Sequence, residues 1–299
     1  MARFTQINLS NLPAPAVVET LDFETIVQEM RDDLVARFPA IEGVIDLESE
    51  PARKLIEVFA FRETLMRARI NSAARAVMMA YATGSDLDHI AAMFGVERFL
   101  ITPADPGAVP PVEAVYETDD DLRRRTQLAL EGFSTGGPSG AYIFHALSAD
   151  ADVLDASAIS PVPGDVLVTV LSRTGDGTAS PELLAAVDAA LNDEDVRPLC
   201  DAVSVQSADI VEYQIEAALL FDAGPGPATV IAAAQAAAEA YASAQHRLGK
   251  DITISGIHAA LHQPGVARVD LSSPAANIAI SDEQAGYCTE IDLTDGGIL

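Results

Sequence analysis

The sequence predicts an α+β fold: an N-terminal helical region with one long bundle helix, followed by a C-terminal mixed α/β region. Two observations support this prediction. Apolar residues recur at alternating spacings of 3 and 4 between residues 56 and 80, the repeat of a helix in a bundle. From about residue 153 the pattern changes to strand-like runs such as residues 165–171. The order of strands and helices after residue 165 favours a ferredoxin-like unit there.

Charge restricts the function classes. The chain has 299 residues, room for about two domains, and a net charge of −27. Residues 150–299 hold 5 basic and 23 acidic side chains, a net of −18. Because such a surface repels phosphate groups, we expect no nucleic-acid partner and no binding to anionic membranes.

Cysteine use and hydropathy point to a protein made in the cytoplasm. The two cysteines, Cys200 and Cys288, form neither a CxxC pair nor a metal-ligand spacing. No apolar run approaches ~18 residues, and the first residues lack the apolar stretch of a signal peptide. We therefore expect a reducing compartment, no membrane span and no cofactor.

The N-terminal region begins with an arm and a short helix. Residues 1–20 are predicted as an extended arm, because Pro13 and Pro15 disfavour helix before them. A helical bundle domain is predicted over residues 21–101. Its first helix spans residues 22–38 and ends at Pro39.

The long helix is predicted over residues 50–81, with Ser49 as its N-cap and Gly84 as its C-cap. A heptad seam runs along it, and a second apolar face lies off the seam, so the helix should be buried on more than one side. The seam is Ile56, Phe59, Glu63, Met66, Ile70, Ala73, Val77 and Ala80. The second face contains Leu55, Val58, Leu65, Met78 and Met79. The candidate bundle interface is Ile56, Phe59, Met66, Ile70, Ala73 and Val77.

The same helix holds six of the 18 basic side chains of this acidic chain. Two interpretations remain open. The basic residues could dock against an acidic partner surface, such as another copy. They could equally form i,i+4 pairs on a solvated face.

Beyond the long helix, residues 85–94 are predicted as a short helix and 102–117 as a proline-rich linker. A helical connector follows over residues 118–150. Its first helix is predicted to begin after Thr118, with Asp119, Asp120 and Asp121 in the first turn, where the helix dipole favours negative charge.

Residues 151–299 are predicted as an α+β ring or dimerisation region. A tight turn at Ser207-Ala208 is expected to join two of its strands. Predicted helices are residues 181–191, 227–245 and 255–261, and predicted strands are 165–171, 203–206, 211–221, 266–271 and 287–293.

No motif predicts catalysis. His258 and His262 are spaced i,i+4 as in zinc sites, but Ala259 replaces the metalloprotease glutamate and no third ligand is indicated. The glycine-rich stretch 134–140 lacks the Lys-Ser/Thr ending of a phosphate loop and is interpreted as a corner between helices. The acidic clusters at 119–121 and 193–195 lack a calcium-loop pattern. A metal-dependent hydrolase using the two histidines, or a cytoplasmic adaptor protein, remains the alternative function.

Several separated blocks, in the same order, resemble the baseplate J-like family of contractile-tailed phages. They are residues 11–15, 19–24, 47–51, 69–78, 80–88, 94–98, 119–177, 245–251 and 285–289. Among them, residues 119–177, with the glycine-rich corner and the helix that follows it, are the most informative.

The resemblance implies a non-enzymatic wedge component of the baseplate of a contractile tail or a related injection particle. It implies a helical bundle with a second wedge protein, and pairing with other copies into a ring around the hub that rearranges on sheath contraction. Other hub or sheath-initiating proteins are further implied partners. The implied location is the virion tail baseplate, assembled in the host cytoplasm.

Overall fold

The computed structural model describes residues 7–9, 12–13, 15–134, 136–222, 224 and 227–299. The described chain forms two compact units. The helical unit contains residues 7–97 together with 119–123, and the α+β unit contains residues 98–118 together with 124–299. The predicted arm falls partly on residues 1–6, 10, 11 and 14, which lie outside the described residues.

The helical unit contains α1 (Phe23–Arg37), α2 (Pro51–Ala76) and α3 (Gly84–Ala92), with a 3₁₀ turn at Pro39–Ile41. α1 begins where the Asp22 side chain accepts a hydrogen bond from the Glu24 N–H, and it ends before Pro39, as predicted. At α2 the Glu50 carboxylate accepts from the Ala52 N–H at 3.4 Å, so Glu50 is the N-cap and the prediction of Ser49 is wrong.

α2 ends at Ala76 rather than at the predicted Tyr81. The Arg123 guanidinium explains the early end, because it binds the Met79 and Ala82 carbonyl oxygens, each at 2.8 Å. These carbonyls face a charged donor instead of continuing a helix. Gly84 does not cap α2; it has φ +53°, opens α3, and donates its N–H to the Asp119 carboxylate.

The segment predicted as a linker, 102–117, is part of a small folded hairpin. β1 (Leu100–Thr102) pairs antiparallel with β2 (Val115–Tyr116), and an isolated bridge joins Asp105 to Val112. The prolines between the strands exclude a longer ladder, since each one removes a backbone donor. α4 (Asp119–Gly132) follows, and its first five residues belong to the helical unit.

Within the α+β unit, the first module packs two helices against one sheet. Its elements are α5 (Ser139–Ala149), β3 (Val153–Ile159), β4 (Asp165–Ser172), α6 (Pro181–Leu191) and β5 (Ala202–Ser207). β3 and β4 are antiparallel, while β4 and β5 are parallel with α6 as their crossover. Side chains from both helices and from β4 form the core, including Leu147, Val168, Val170, Leu183 and Val187.

The second module has the same composition of parts in a different order. Its elements are β6 (Asp209–Phe221), α7 (Pro227–Gln245), α8 (Ile254–Leu261), β7 (Val266–Ser273) and β8 (Gln284–Ile298). β6 is the central strand, antiparallel to β7 and parallel to β8. Its core includes Ile215, Leu219, Ala234, Ile257 and Leu261.

The α+β class is confirmed, but the single ferredoxin-like unit is not observed. β5 and β6 belong to two separate three-stranded sheets. Ser207-Ala208 is not a hairpin turn, because it lacks the glycine or asparagine that a two-residue turn needs at positive φ. Instead the chain continues from one sheet into the other. The buried Ala208 donates its N–H to the Val170 carbonyl, and Asp209 donates to the Glu283 carbonyl.

A buried carboxylate, Asp155, is one of the groups that join the two modules. It accepts hydrogen bonds from Arg124 of α4 at 2.6 Å, from the neighbouring Ala156 N–H at 2.8 Å, and from the Leu248 N–H of the second module at 3.0 Å. Leu171 and Leu248 are fully buried beside it in a small shared apolar cluster. Three donors satisfy the buried charge of Asp155. The contact between the modules at this point is therefore a stable part of the fold.

The glycine-rich corner between α4 and α5 depends on Gly137. This residue has φ +71°, and an added Cβ would lie 2.8 Å from an Asp201 carboxylate oxygen and 2.9 Å from the Pro198 side chain. Asp201 is itself fixed, since Tyr142 donates its hydroxyl to it at 2.7 Å. The corner is therefore a close backbone approach, as the sequence interpretation predicts for a structural turn.

Gly137→Ala is expected to destabilise the α+β unit by about 2–3 kcal/mol, because it combines a left-handed backbone with a steric clash. Gly175→Ala is the matched control: Gly175 has φ +65°, but nothing lies within 4 Å of its added Cβ. The control should lose only about 1 kcal/mol. Thermal unfolding of both variants checks this, and equal losses would show that the contact with Asp201 is unimportant.

Candidate assembly surface

α2 exposes an unusual amount of apolar surface for a helix inside a folded unit. Its buried side chains are Ile56, Ala60 and Asn71. Phe59, Met66 and Ile70 are 61%, 65% and 55% exposed. Exposed apolar residues that are grouped on one element, rather than scattered, indicate an interaction surface.

The exposed apolar side chains of α2 form two stripes on a helix that turns about 100° per residue. We call Leu55, Phe59, Met66 and Ile70 the groove stripe; all four are exposed. We call Val58, Phe61 and Leu65 the outer stripe; these are exposed too and lie roughly a third of a turn away. α2 therefore has apolar surface on two sides that the unit itself does not cover.

The groove stripe forms one wall of an apolar groove of about 850 Å³. Met30 and Leu34 of α1, with Ile41 of the 3₁₀ turn, line the opposite side. The groove runs along α2 from Leu55 to Ile70, about 22 Å at 1.5 Å per residue. Its length and apolar lining match the side of a docked helix.

The remaining side of α2 is already occupied by the N-terminal segment. The Asn71 side chain accepts from the Glu19 N–H at 3.0 Å and donates to the Glu19 carbonyl at 2.8 Å. Further along, the Tyr81 hydroxyl donates to the Leu12 carbonyl at 3.1 Å. The described part of the arm thus lies against the helical unit, and Glu19 also reaches Arg67 at the edge of the groove, at 3.6 Å.

Half of the basic side chains on α2 form local pairs. Lys54 and Arg53 both approach Glu57, and the hydrogen bond from Lys54 holds the pKa of that carboxyl below its usual value. The hydrogen bond that Arg67 donates to the Glu63 carboxylate raises the pKa of Arg67. These pairs are partly exposed, so solvent screening keeps their contribution to stability small. Arg53 and Arg67 confirm the i,i+4 interpretation for themselves only, whereas Lys54 pairs with Glu57 at i,i+3.

The predicted interface residues do not share one environment. Phe59, Met66 and Ile70 lie in the groove stripe, and Ala73 is exposed on the same side of α2. Ile56 is buried inside the unit, and Val77 is exposed just beyond the end of α2. The interface stays a prediction, with Ile56 as a supporting core residue. The sequence interpretation missed Phe61, which the 3- and 4-residue spacings from Val58 to Leu65 could have shown.

The residues considered for chemistry have structural surroundings. His262 is the C-cap of α8, with its N–H bonded to the His258 carbonyl. Asp119 caps the start of α3, and Asp193 accepts from the Asp195 N–H. Among the described ranges, no group of three or more His, Cys, Asp or Glu side chains could hold a metal ion.

Comparison with known proteins identifies the family. Residues 48–105, 134–207 and 213–294 match the Baseplate J-like N-terminal, central and C-terminal domains. Baseplate protein J of Escherichia phage P2 is 51% identical over 296 residues, covering 97% of this chain and 98% of that protein. The chain belongs to the baseplate J-like family. In this member, α2 lies within the N-terminal domain match, while the residues from α1 and the 3₁₀ turn that line the groove precede it. Each α+β module corresponds closely to one later match.

A cryo-EM structure of the anti-feeding prophage baseplate, 6-fold symmetrised, contains a chain with limited similarity to this baseplate J-like protein. The alignment covers 60% of this chain and 43% of that chain, with 14% identity and a TM-score of 0.41. No helix in the part of the chain that the structure describes is long and apolar enough to cross a bilayer.

Proposed function

We propose that the chain is a structural wedge component of the baseplate of a contractile tail or related injection particle. The observation that carries the proposal is the full-length similarity to the phage P2 baseplate protein J, at 51% identity. The exposed apolar stripes of α2 support an assembly role, since a soluble unit leaves such surface open mainly where it binds another protein.

In this proposal the helical unit joins a bundle with a second wedge protein, through the groove stripe. The α+β unit pairs with other copies to form a ring around the hub, which rearranges when the sheath contracts. Its acidic surface, net −18 over residues 150–299, keeps it from binding DNA during assembly in the host cytoplasm. Hub and sheath-initiating proteins would be its further neighbours in the virion tail baseplate.

Cryo-EM of intact tails carrying an epitope-tagged copy of this chain tests the location. Antibody density should appear at the baseplate, in several symmetry-related positions. Density spread along the sheath, or a tag found only outside particles, would contradict the proposal. Tails purified from a deletion strain serve as the control, and we expect them to lack an assembled baseplate.

We also propose that the chain acts without catalysis. The hydrolase alternative would need the His258/His262 pair to find a third ligand, and none is present within the described ranges. Metal analysis of the purified chain decides between the non-catalytic role and the hydrolase. Stoichiometric zinc that disappears in His262→Ala would favour the hydrolase.

A further inference from the structure

Two arginines on α2 are left without partners beside the groove stripe. Arg53, Lys54 and Arg67 each pair with a glutamate of the same helix. By contrast, Arg62 and Arg69 are exposed and have no ion pair or hydrogen bond to any described residue. They are seven residues apart, two helical turns, so they lie in one row, and Arg62 lines the groove itself.

This row has apolar surface on both flanks. At 100° per residue, Arg62 and Arg69 fall between the groove stripe and the outer stripe. A helix that covers the groove stripe would bring its own edge against the two guanidinium groups. Water would be excluded at that contact. The edge of the docked helix must therefore supply negative charge, because two desolvated arginines without a carboxylate would cost free energy.

We propose that the occupant of the groove is an amphipathic helix of a second protein, with carboxylates seven residues apart placed against Arg62 and Arg69. This inference rests on the proposed function and specifies the chemistry of the bundle partner. A helix of about 15 residues spans the distance from Leu55 to Ile70, and two carboxylates at that spacing match the two arginines.

A second copy of α2 is a poor occupant by the same reasoning. Its free charges at this surface are Arg62 and Arg69, because Glu57 and Glu63 are already bound within their own helix. Pairing α2 with α2 would therefore bring four positive charges together between apolar stripes. Such like-charge contacts select against self-pairing and in favour of an acidic partner.

The test uses two synthetic amphipathic helices of 18 residues with the same leucine stripe and one tryptophan each. They differ only at two positions seven residues apart, which are Glu in one peptide and Lys in the other. Because the full-length chain contains no Trp, the tryptophan fluorescence comes from the peptide alone. We expect the Glu peptide to bind at least about tenfold more tightly at low salt, with the difference shrinking toward 1 M salt.

Charge reversal by Arg62→Glu with Arg69→Glu should invert the preference, so that the Lys peptide binds more tightly. Arg75→Glu is the matched control. Arg75 is also exposed and without a described partner, but it lies on the opposite side of α2 from the groove stripe. This control should keep the preference of the wild-type chain.

Three results would overturn the inference: equal binding of both peptides to the wild-type chain, no binding of either, or self-association that Phe59→Asp abolishes. The wild-type measurement stands even where a variant fails to fold. These outcomes are separable from the proposed function. Baseplate density in tails together with no charge preference rejects the inference alone, while a preference without baseplate density rejects the wedge assignment alone.

Discussion

Met66→Asp is expected to leave the chain folded and to abolish its assembly with the bundle partner. Met66 is 65% exposed in the groove stripe, so the substitution removes little packing within the helical unit. In the proposed complex the same position is covered by a helix, and an unpaired carboxylate would be buried against apolar side chains. A cost of about 4 kcal/mol is reasonable for such burial and weakens binding by about 1,000-fold.

Co-purification with the other baseplate proteins of the same particle measures assembly. Circular dichroism and thermal unfolding of the chain alone measure whether the variant is folded. Ile70→Asp should behave in the same way, since Ile70 is 55% exposed in the same stripe. Met93→Asp is the control, because Met93 belongs to the same unit and is 82% exposed but lies at the end of α3, outside the groove. Normal assembly of Met66→Asp would show that the groove stripe is not the interface.

The sequence predicted where α2 lies and which side chains form its main stripe, because a 3- and 4-residue apolar repeat is a local property of the chain. It could not predict where the helix ends. That end depends on Arg123, which is 44 residues from the Met79 carbonyl that it binds. Nor could it predict that Asn71 is buried, since the reason is a pair of hydrogen bonds to Glu19.

Non-local contacts also explain why the predicted ferredoxin-like unit in the α+β region was wrong. Alternation identified β4 to β8 but not β3, and α6 and α7 begin and end at the predicted residues. Which strands share a sheet is a non-local property. Two strands separated by Ser207-Ala208 looked like a hairpin, yet the backbone of Ala208 bonds to Val170 and the chain runs on into a second sheet. The absence of glycine or asparagine at Ser207-Ala208 was the sequence signal against a hairpin there.

The second large effect is expected at a buried ion pair in the α+β unit. Glu117 and Arg125 have side chains only 2% and 7% exposed, and two hydrogen bonds of 2.7 Å join the carboxylate to the guanidinium. The Phe99 N–H also donates to Glu117, and the Arg125 guanidinium lies 4.1 Å from the centroid of the Phe99 ring. The pair thus fixes the hairpin strands to α4.

Glu117→Ala is expected to destabilise the α+β unit by about 3–5 kcal/mol, because the buried Arg125 guanidinium loses the two hydrogen bonds that the Glu117 carboxylate accepts from it. For a unit of this size the thermal midpoint should fall by roughly 10 °C, measured by calorimetry. Asp120→Ala is the matched control, since it breaks the pair with Arg123 of the same helix, but Asp120 is 94% exposed. That control should cost less than about 1 kcal/mol.

The double variant Glu117→Leu with Arg125→Leu separates the cost of removing one member of the buried pair from the value of the pair itself. Replacing both buried charges by apolar side chains removes two desolvation penalties together with their mutual attraction, so most of the lost stability should return. Recovery would show that Glu117→Ala is harmful because Arg125 stays buried after losing the Glu117 carboxylate. A double variant as unstable as Glu117→Ala would instead show that the contacts to Phe99 and the hairpin carry the stability. In that case the hairpin itself, and not the charge pair, would hold α4 in place.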